Sequence, residues 1–294
     1  MSASALSRAS TSPAEGASRG RASRWLRRAL LLATLLSLAG TWAWLERAAA
    51  TPARLAAAEA GLPADPSAWT RLRVSVAGPP HVAIQIGHLD ARAHPDELAR
   101  LRISTGGRAA GISEVDVNRA VAEALAAELR RAGVRVELLP ATVPPRYRAD
   151  VLLSVHADAN ADPTRRGYKS AHSEPPRNRR EPWLRRAVDA AYLSAAPLPH
   201  DEANITGAMI HYYAFSHQRF RHAAHPATAG LIVELGYLSH AGDRAWLSRP
   251  EEPAAALADG VLGYLAAIDR WHPDLASTPA DDRAQDADVV ASRP

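Results

Sequence analysis

HVAIQIGHLD, residues 81–90, reads as a buried strand running into a turn, with Gly87-His88 at the point where the chain leaves the sheet. Two further stretches repeat that form. In DVLLSVHADAN (150–160) the apolar run VLLSV ends in His156. In GLIVELGYLSH (230–240) the run ends in Glu234, with the turn residue Gly236 close behind. A charge closing an apolar strand is costly unless it is paired or coordinated. Between the first two strands lies a helical pattern, with Val117, Val121, Leu125 and Leu129 at i, i+4 spacing. Ser113 is the expected N-cap, and Asp116 three residues on is a variant of the capping box. Glu114 then falls in the first helical turn. Strands alternating with helices give an α/β class with a central mixed, mainly parallel sheet flanked by helices.

Open α/β sheets bind ligands at the carboxyl ends of their strands, beside helix N-termini. His88, Glu114, His156 and Glu234 are all expected at that edge. Each alone has an ordinary structural reading: a hydrogen-bonded histidine, or a glutamate complementing a helix dipole. Together they fit one catalytic zinc site, with three protein ligands, an open fourth position and a carboxylate beside the bound water. A thiolate site is excluded because the chain has no cysteine. No Gly-x-Ser-x-Gly elbow for a serine nucleophile occurs.

IQIGH, an early-helix glutamate, LLSVHADAN and LIVELGYLSH resemble the motif series of the zinc-dependent N-acetylmuramoyl-L-alanine amidases, the peptidoglycan amidases of the bacterial cell-division type. The resemblance covers about residues 80 to 270. It implies His88, Glu114 and His156 as zinc ligands and Glu234 as the catalytic acid/base. The implied reaction is zinc-assisted hydrolysis of the amide between N-acetylmuramic acid and L-alanine. Peptidoglycan is the implied partner, with room for an activator protein. No substrate-binding residue is assigned.

The chain departs from the family pattern at several points. Gln85-Ile86-Gly87-His88-Leu89-Asp90 stands where the family usually has Asp-Pro-Gly-His-Gly-Gly, so the loop after His88 is expected to run differently. Asp158 replaces the usual Asn after the second histidine, and His240 replaces the Asn that closes the last motif. The interval from His88 to Glu114 is long and holds Arg100, Arg102, Gly106, Gly107 and Arg108.

HYYAFSHQRFRHAAHPATAG contributes His211, His217, His222 and His225. It reads as an amphipathic segment packed on the sheet, with a sugar-peptide groove lining as the alternative. His217 and Arg221 share a face if it is helical, and Pro226 would end that helix. His172 and His200 fall in Pro- and Arg-rich sequence expected at the surface.

Residues 1–28 carry six arginines and a single acid, Glu15, for a net charge of +5, whereas the whole chain of 294 residues is +4. The basic character therefore belongs to a tail, and nucleic-acid binding by the domain is not expected. Lysine occurs once, at Lys169, so arginine is the chain's habitual cation. Residues 29–45 form an uncharged apolar run flanked by Trp25, Trp42 and Trp44, which reads as a transmembrane helix or a signal-peptide core. The arginines before it place the N-terminus in the cytoplasm and the body outside, in a single-pass membrane protein facing the periplasm or cell wall. Ala48-Ala49-Ala50 offers a cleavage site and hence a secreted alternative. Residues 46–72 read as a linker, 73–271 as a single catalytic domain and 272–294 as a disordered tail. Two rival functions stand beside the amidase: a zinc carboxypeptidase or aminopeptidase of similar fold, and a catalytically silent peptidoglycan-binding envelope protein.

Overall fold

The computed structural model describes residues 78–272. The expected membrane segment at 29–45, the linker at 46–72 and the tail from Pro273 onward lie outside the described residues. His272 was expected in the tail, but it is buried, so the domain reaches at least that far. No helix among the described residues is long and apolar enough to cross a membrane.

The sheet is built from β1 (His81–Ile86), β4 (Arg135–Leu139), β5 (Val151–Asp158), β6 (Lys169–Ala171) and β7 (Ala229–Tyr237), in spatial order β4-β1-β5-β7-β6. The first four of these neighbours run parallel, and β6 lies antiparallel on β7. This is the mixed, mainly parallel α/β sheet read from the sequence. A separate two-stranded hairpin pairs β2 (Arg108–Ala109) with β3 (Ile112–Ser113). Its turn holds Ala110 at φ 50° and Gly111 at φ 79°. Two left-handed central residues match the twist of a two-residue hairpin.

The pleat sorts side chains between two faces. Val151, Leu153 and Val155 of β5 and Leu231, Val233 and Leu235 of β7 point to one face. There they meet Val121, Leu125 and Leu129 of α1 (Glu114–Arg131), Leu184, Val188 and Tyr192 of α2 (Glu181–Ala195), and Leu257, Val261 and Tyr264 of α5 (Glu251–Ala267). The i, i+4 stripe of α1 is thus its core face, as its spacing predicts. The opposite face carries Ala83, Leu152 and Ile232. It is covered by loops, the short helix α3 (Gly207–Ile210) and 3-10 turns that bring in Leu98, Met209, Tyr213 and Phe215. His156 and Glu234 share the parity of Leu152 and Ile232, so the site opens on the loop-covered side.

Three local expectations are corrected. β5 and β7 do not stop at His156 and Glu234; they continue to Asp158 and Tyr237. Ser113 is the N-cap of α1, but its side chain makes no capping bond. The helix is opened by the hairpin instead, with the Glu114 N–H donating to the Gly107 carbonyl at 3.0 Å. Finally, no helix carries His217 and Arg221. The 211–225 segment is a 3-10 turn (Tyr213–Phe215) followed by loop, pinned where the backbone N–H groups of Arg221 and His222 donate to Glu97. Its packing against the sheet is as expected, but it packs through Tyr212, Tyr213 and Phe215 rather than through a helical face.

Candidate metal centre

Register brings the site together. Ile86 of β1 pairs with Val155 of β5, which sets Gly87-His88 beside His156, and His156 pairs with Glu234 on β7. Glu114, the first residue of α1, enters from above the strand ends. Its Oε1 lies 3.2 Å from His88 Nε2 and 3.1 Å from His156 Nδ1. The two imidazoles stand edge to face with centroids 4.8 Å apart. The three donor atoms all lie within 4.8 Å of one another.

Surrounding hydrogen bonds fix which atoms point inward. The Ser104 carbonyl can only accept, so His88 Nδ1 carries a proton toward it at 2.8 Å and Nε2 is left facing Glu114. Tyr212 Oη donates to Gln85 Oε1 at 3.0 Å and lies 3.4 Å from His156 Nε2, which leaves His156 Nδ1 on the inner side. Gly107 N–H donates to Glu114 Oε2 at 2.7 Å. Partners of this kind orient metal ligands and set their tautomers. The electrostatics agree with a charged carboxylate between two bases. Burial opposes the Glu114 charge, but hydrogen bonds and charge from His156 and His88 override it and hold its carboxyl far below the usual range. Burial lowers the pKa of His156 despite Glu114. At His88 burial is outweighed by Glu114 and the Ser104 carbonyl, and the pKa is raised.

Gly87 explains why a glycine precedes His88. A Cβ there would lie 2.5–2.7 Å from Cε1, Nδ1 and Nε2 of His156. Gly87→Ala is therefore expected to displace the His156 ring and to weaken any metal binding by the His88–Glu114–His156 group by about 10- to 100-fold, the usual effect of disturbing a ligand's support. Zinc titration of the purified domain measures this, and unchanged affinity would show that the ring has room to move. His88 itself sits at φ 64° and Asp90 at φ 55°. Left-handed non-glycine residues are strained, and they cluster at functional sites. In this chain 3-10 turns at Ala91–Ala93 and Asp96–Leu101, then the hairpin, fill the long interval between His88 and Glu114.

Glu234 faces the same cavity as His88 and His156. The residue is partly accessible from that cavity, while its Oε2 is buried with no hydrogen-bond partner. Burial, followed by the charges of Glu114 and Asp158, raises its pKa well above the ordinary carboxyl value, and Lys169 opposes them. Lys169 pairs in register with Glu234 across β6 and β7. Its ammonium donates to Asp158 Oδ2 at 2.6 Å and to Tyr237 Oη at 2.8 Å. The chain's one lysine thus neutralises the aspartate that stands in place of the family asparagine. His240, the other departure, caps helix α4 (Ala241–Leu247) by accepting from Asp243 N–H.

All four residues singled out in the sequence meet here. The supporting residues Ser104, Gly107, Gln85, Tyr212 and Lys169 were not assigned from sequence. Only the placement of Gly107 and Gln85 beside recognised motifs hinted at them. His222 and His225 are engaged elsewhere, with Glu97 and Arg148.

Residues 82–263 match the family model described as N-acetylmuramoyl-L-alanine amidase. The chain belongs to this family. The amidase hydrolyses the amide bond between N-acetylmuramic acid and L-alanine in peptidoglycan, and the peptidase and silent-binder readings give way. Its fold is similar to that of N-acetylmuramoyl-L-alanine amidase AmiC2 of Nostoc punctiforme, at 19% identity over 64% of this chain and 97% of that one (TM-score 0.44). It is also similar to the catalytic domain of CwlV, an amidase from Bacillus (Paenibacillus) polymyxa, at 18% identity over 64% and 99% (TM-score 0.44). The CwlD amidase of Clostridioides difficile, solved in complex with the GerS lipoprotein, matches at 14% identity over 64% and 98% (TM-score 0.45). No curated protein matches the sequence.

Proposed function

We propose that the amidase works with one zinc ion held by His88, Glu114 and His156, and that Glu234 is its acid/base. The observation that carries this reading is the convergence of two imidazoles and a carboxylate on one point, beside a buried Glu234 oxygen that has no donor. Two neutral nitrogens and one anionic oxygen suit zinc, and each ligand has a support that fixes its inward atom. When bound, zinc supplies a water of pKa near ~7 and polarises the scissile carbonyl.

The chain's own groups do the rest. Glu234 takes a proton from the attacking water and passes it to the leaving amine of L-alanine as the carbon–nitrogen bond breaks. Burial, followed by the charges of Glu114 and Asp158, raises its pKa, which favours holding the proton for that return step. No covalent intermediate is required. The test is zinc content measured alongside mass spectrometry of digested peptidoglycan. Stem peptides beginning with L-alanine, released only by zinc-loaded protein, support the reading; equal release by metal-stripped protein overturns it. Running the purified chain alone also answers the activator question, because turnover without any added envelope protein shows that none is required.

Residues 29–45 support a membrane tether with the catalytic domain on the periplasmic or cell-wall side. A reporter fused after residue 60 is expected outside the cytoplasm, and the native protein is expected to stay with membranes through a high-salt wash. Salt screens an electrostatic attachment but does not extract a spanning helix. A soluble mature form beginning near Thr51 would instead identify a cleaved signal.

A further inference from the structure

We propose that Arg100 forms a carboxylate-binding subsite of the amidase and selects substrates whose stem peptide carries a free carboxylate near the scissile amide. The proposal rests on the amidase reading and adds a substrate class to it.

The site opens into a cavity of about 290 Å³ that reaches from His88, His156 and Glu234 to Arg100, Thr206, Met209 and His211. Arg100 is the one permanent cation among the residues lining it. It is exposed, and among the described residues its guanidinium has neither a hydrogen-bond nor an ion-pair partner. Its neighbours show that this is not for lack of nearby acids. Asp96 is committed to Arg102 at 2.7 Å. Glu97 is committed to the backbone N–H groups of Arg221 and His222 and to the His222 ring. The acids of this 3-10 turn are thus spent on other groups, and the positive charge faces the cavity uncompensated.

The segment that carries Arg100 is also held in place. Leu98 is fully buried beneath it. Arg102 Nε donates to the His94 carbonyl at 2.7 Å. Ser104 accepts from the His88 ring, which ties the end of the segment directly to a metal ligand. The position of Arg100 is therefore referenced to the reacting centre rather than to a free loop. A guanidinium so placed binds a planar carboxylate through a charge-assisted pair of hydrogen bonds.

Substrate chemistry says where that carboxylate lies. The lactyl carboxyl of the sugar is consumed in the scissile amide, so the muramoyl side offers no free carboxylate. The anion must come from the peptide side. The sequence shows the same feature from another direction, since Arg100 lies in the long interval between His88 and Glu114 where this chain departs from its family.

The experiment compares two probes, an N-acetylmuramoyl dipeptide with a free terminal carboxylate and its primary carboxamide, on zinc-loaded protein. Wild-type protein is expected to favour the free acid. Arg100→Gln is expected to raise KM for the acid roughly 10-fold, the worth of one exposed charge-assisted contact, and to leave the carboxamide unchanged. Arg92→Gln removes a nearby exposed charge that does not line the cavity, and it is expected to preserve the preference. Equal loss on both probes, no loss on either, or the same effect from Arg92→Gln overturns the subsite. Failure of wild-type protein to cleave either probe, with intact peptidoglycan also left uncut, points instead at the amidase reading.

Discussion

Replacing Glu234 with glutamine is expected to leave zinc stoichiometric and to lower kcat by on the order of 10²–10⁴, the usual contribution of a positioned acid/base. The substitution is nearly isosteric, and Oε2 has no hydrogen-bond partner to lose, so the fold should tolerate the amide. Removing a carboxyl whose charge burial already disfavours is also not expected to destabilise the protein. What disappears is the ability to take a proton from water and return it to the amine. Kinetics on zinc-loaded protein with metal analysis of the same sample read both quantities. If Glu234→Gln loses zinc while Glu114→Gln keeps it, the two carboxylates have exchanged roles.

His156→Ala is expected to abolish both stoichiometric zinc and measurable turnover. His156 is as deeply buried as Glu114, and it is seated over Gly87, beside Tyr212 and against Glu114. Its loss removes one of three donors and leaves Glu114 with a single imidazole partner in a buried setting. His88→Ala should act in the same direction. Full zinc retention in both variants would sink the ligand assignment. Because imidazole must be neutral to bind metal, wild-type occupancy should also fall as acid protonates the histidines.

The four residues that meet at the candidate site were legible in the sequence because each breaks a pattern. His88, His156 and Glu234 interrupt or close apolar strands, and Glu114 opens an amphipathic helix. Short apolar runs placed β1, β5 and β7, a period-3.6 stripe placed α1, and with them came the α/β class. The supporting shell was not legible because it is assembled by long-range contacts that leave no periodic trace. Ser104 reaches His88 through a backbone carbonyl, which any residue type would supply. Tyr212 and Gln85 meet across 127 positions of sequence. The supposed helix around His217 failed for a related reason. Aromatic residues at 212, 213 and 215 can satisfy either a helical stripe or a tight turn, and Glu97, far away in sequence, decides for the turn by capturing the N–H groups of Arg221 and His222.

The Lys169–Asp158 pair has one more consequence. Lys169 carries the only ε-amine in the 294 residues, and its side chain is 2% exposed. An amine-directed acylating reagent therefore has no lysine to modify while the domain stays closed. Acyl mass gained at Lys169 counts openings of the β6–β7 edge, so the wild-type sequence carries a built-in single-site clock for how often the floor beside Glu234 comes apart.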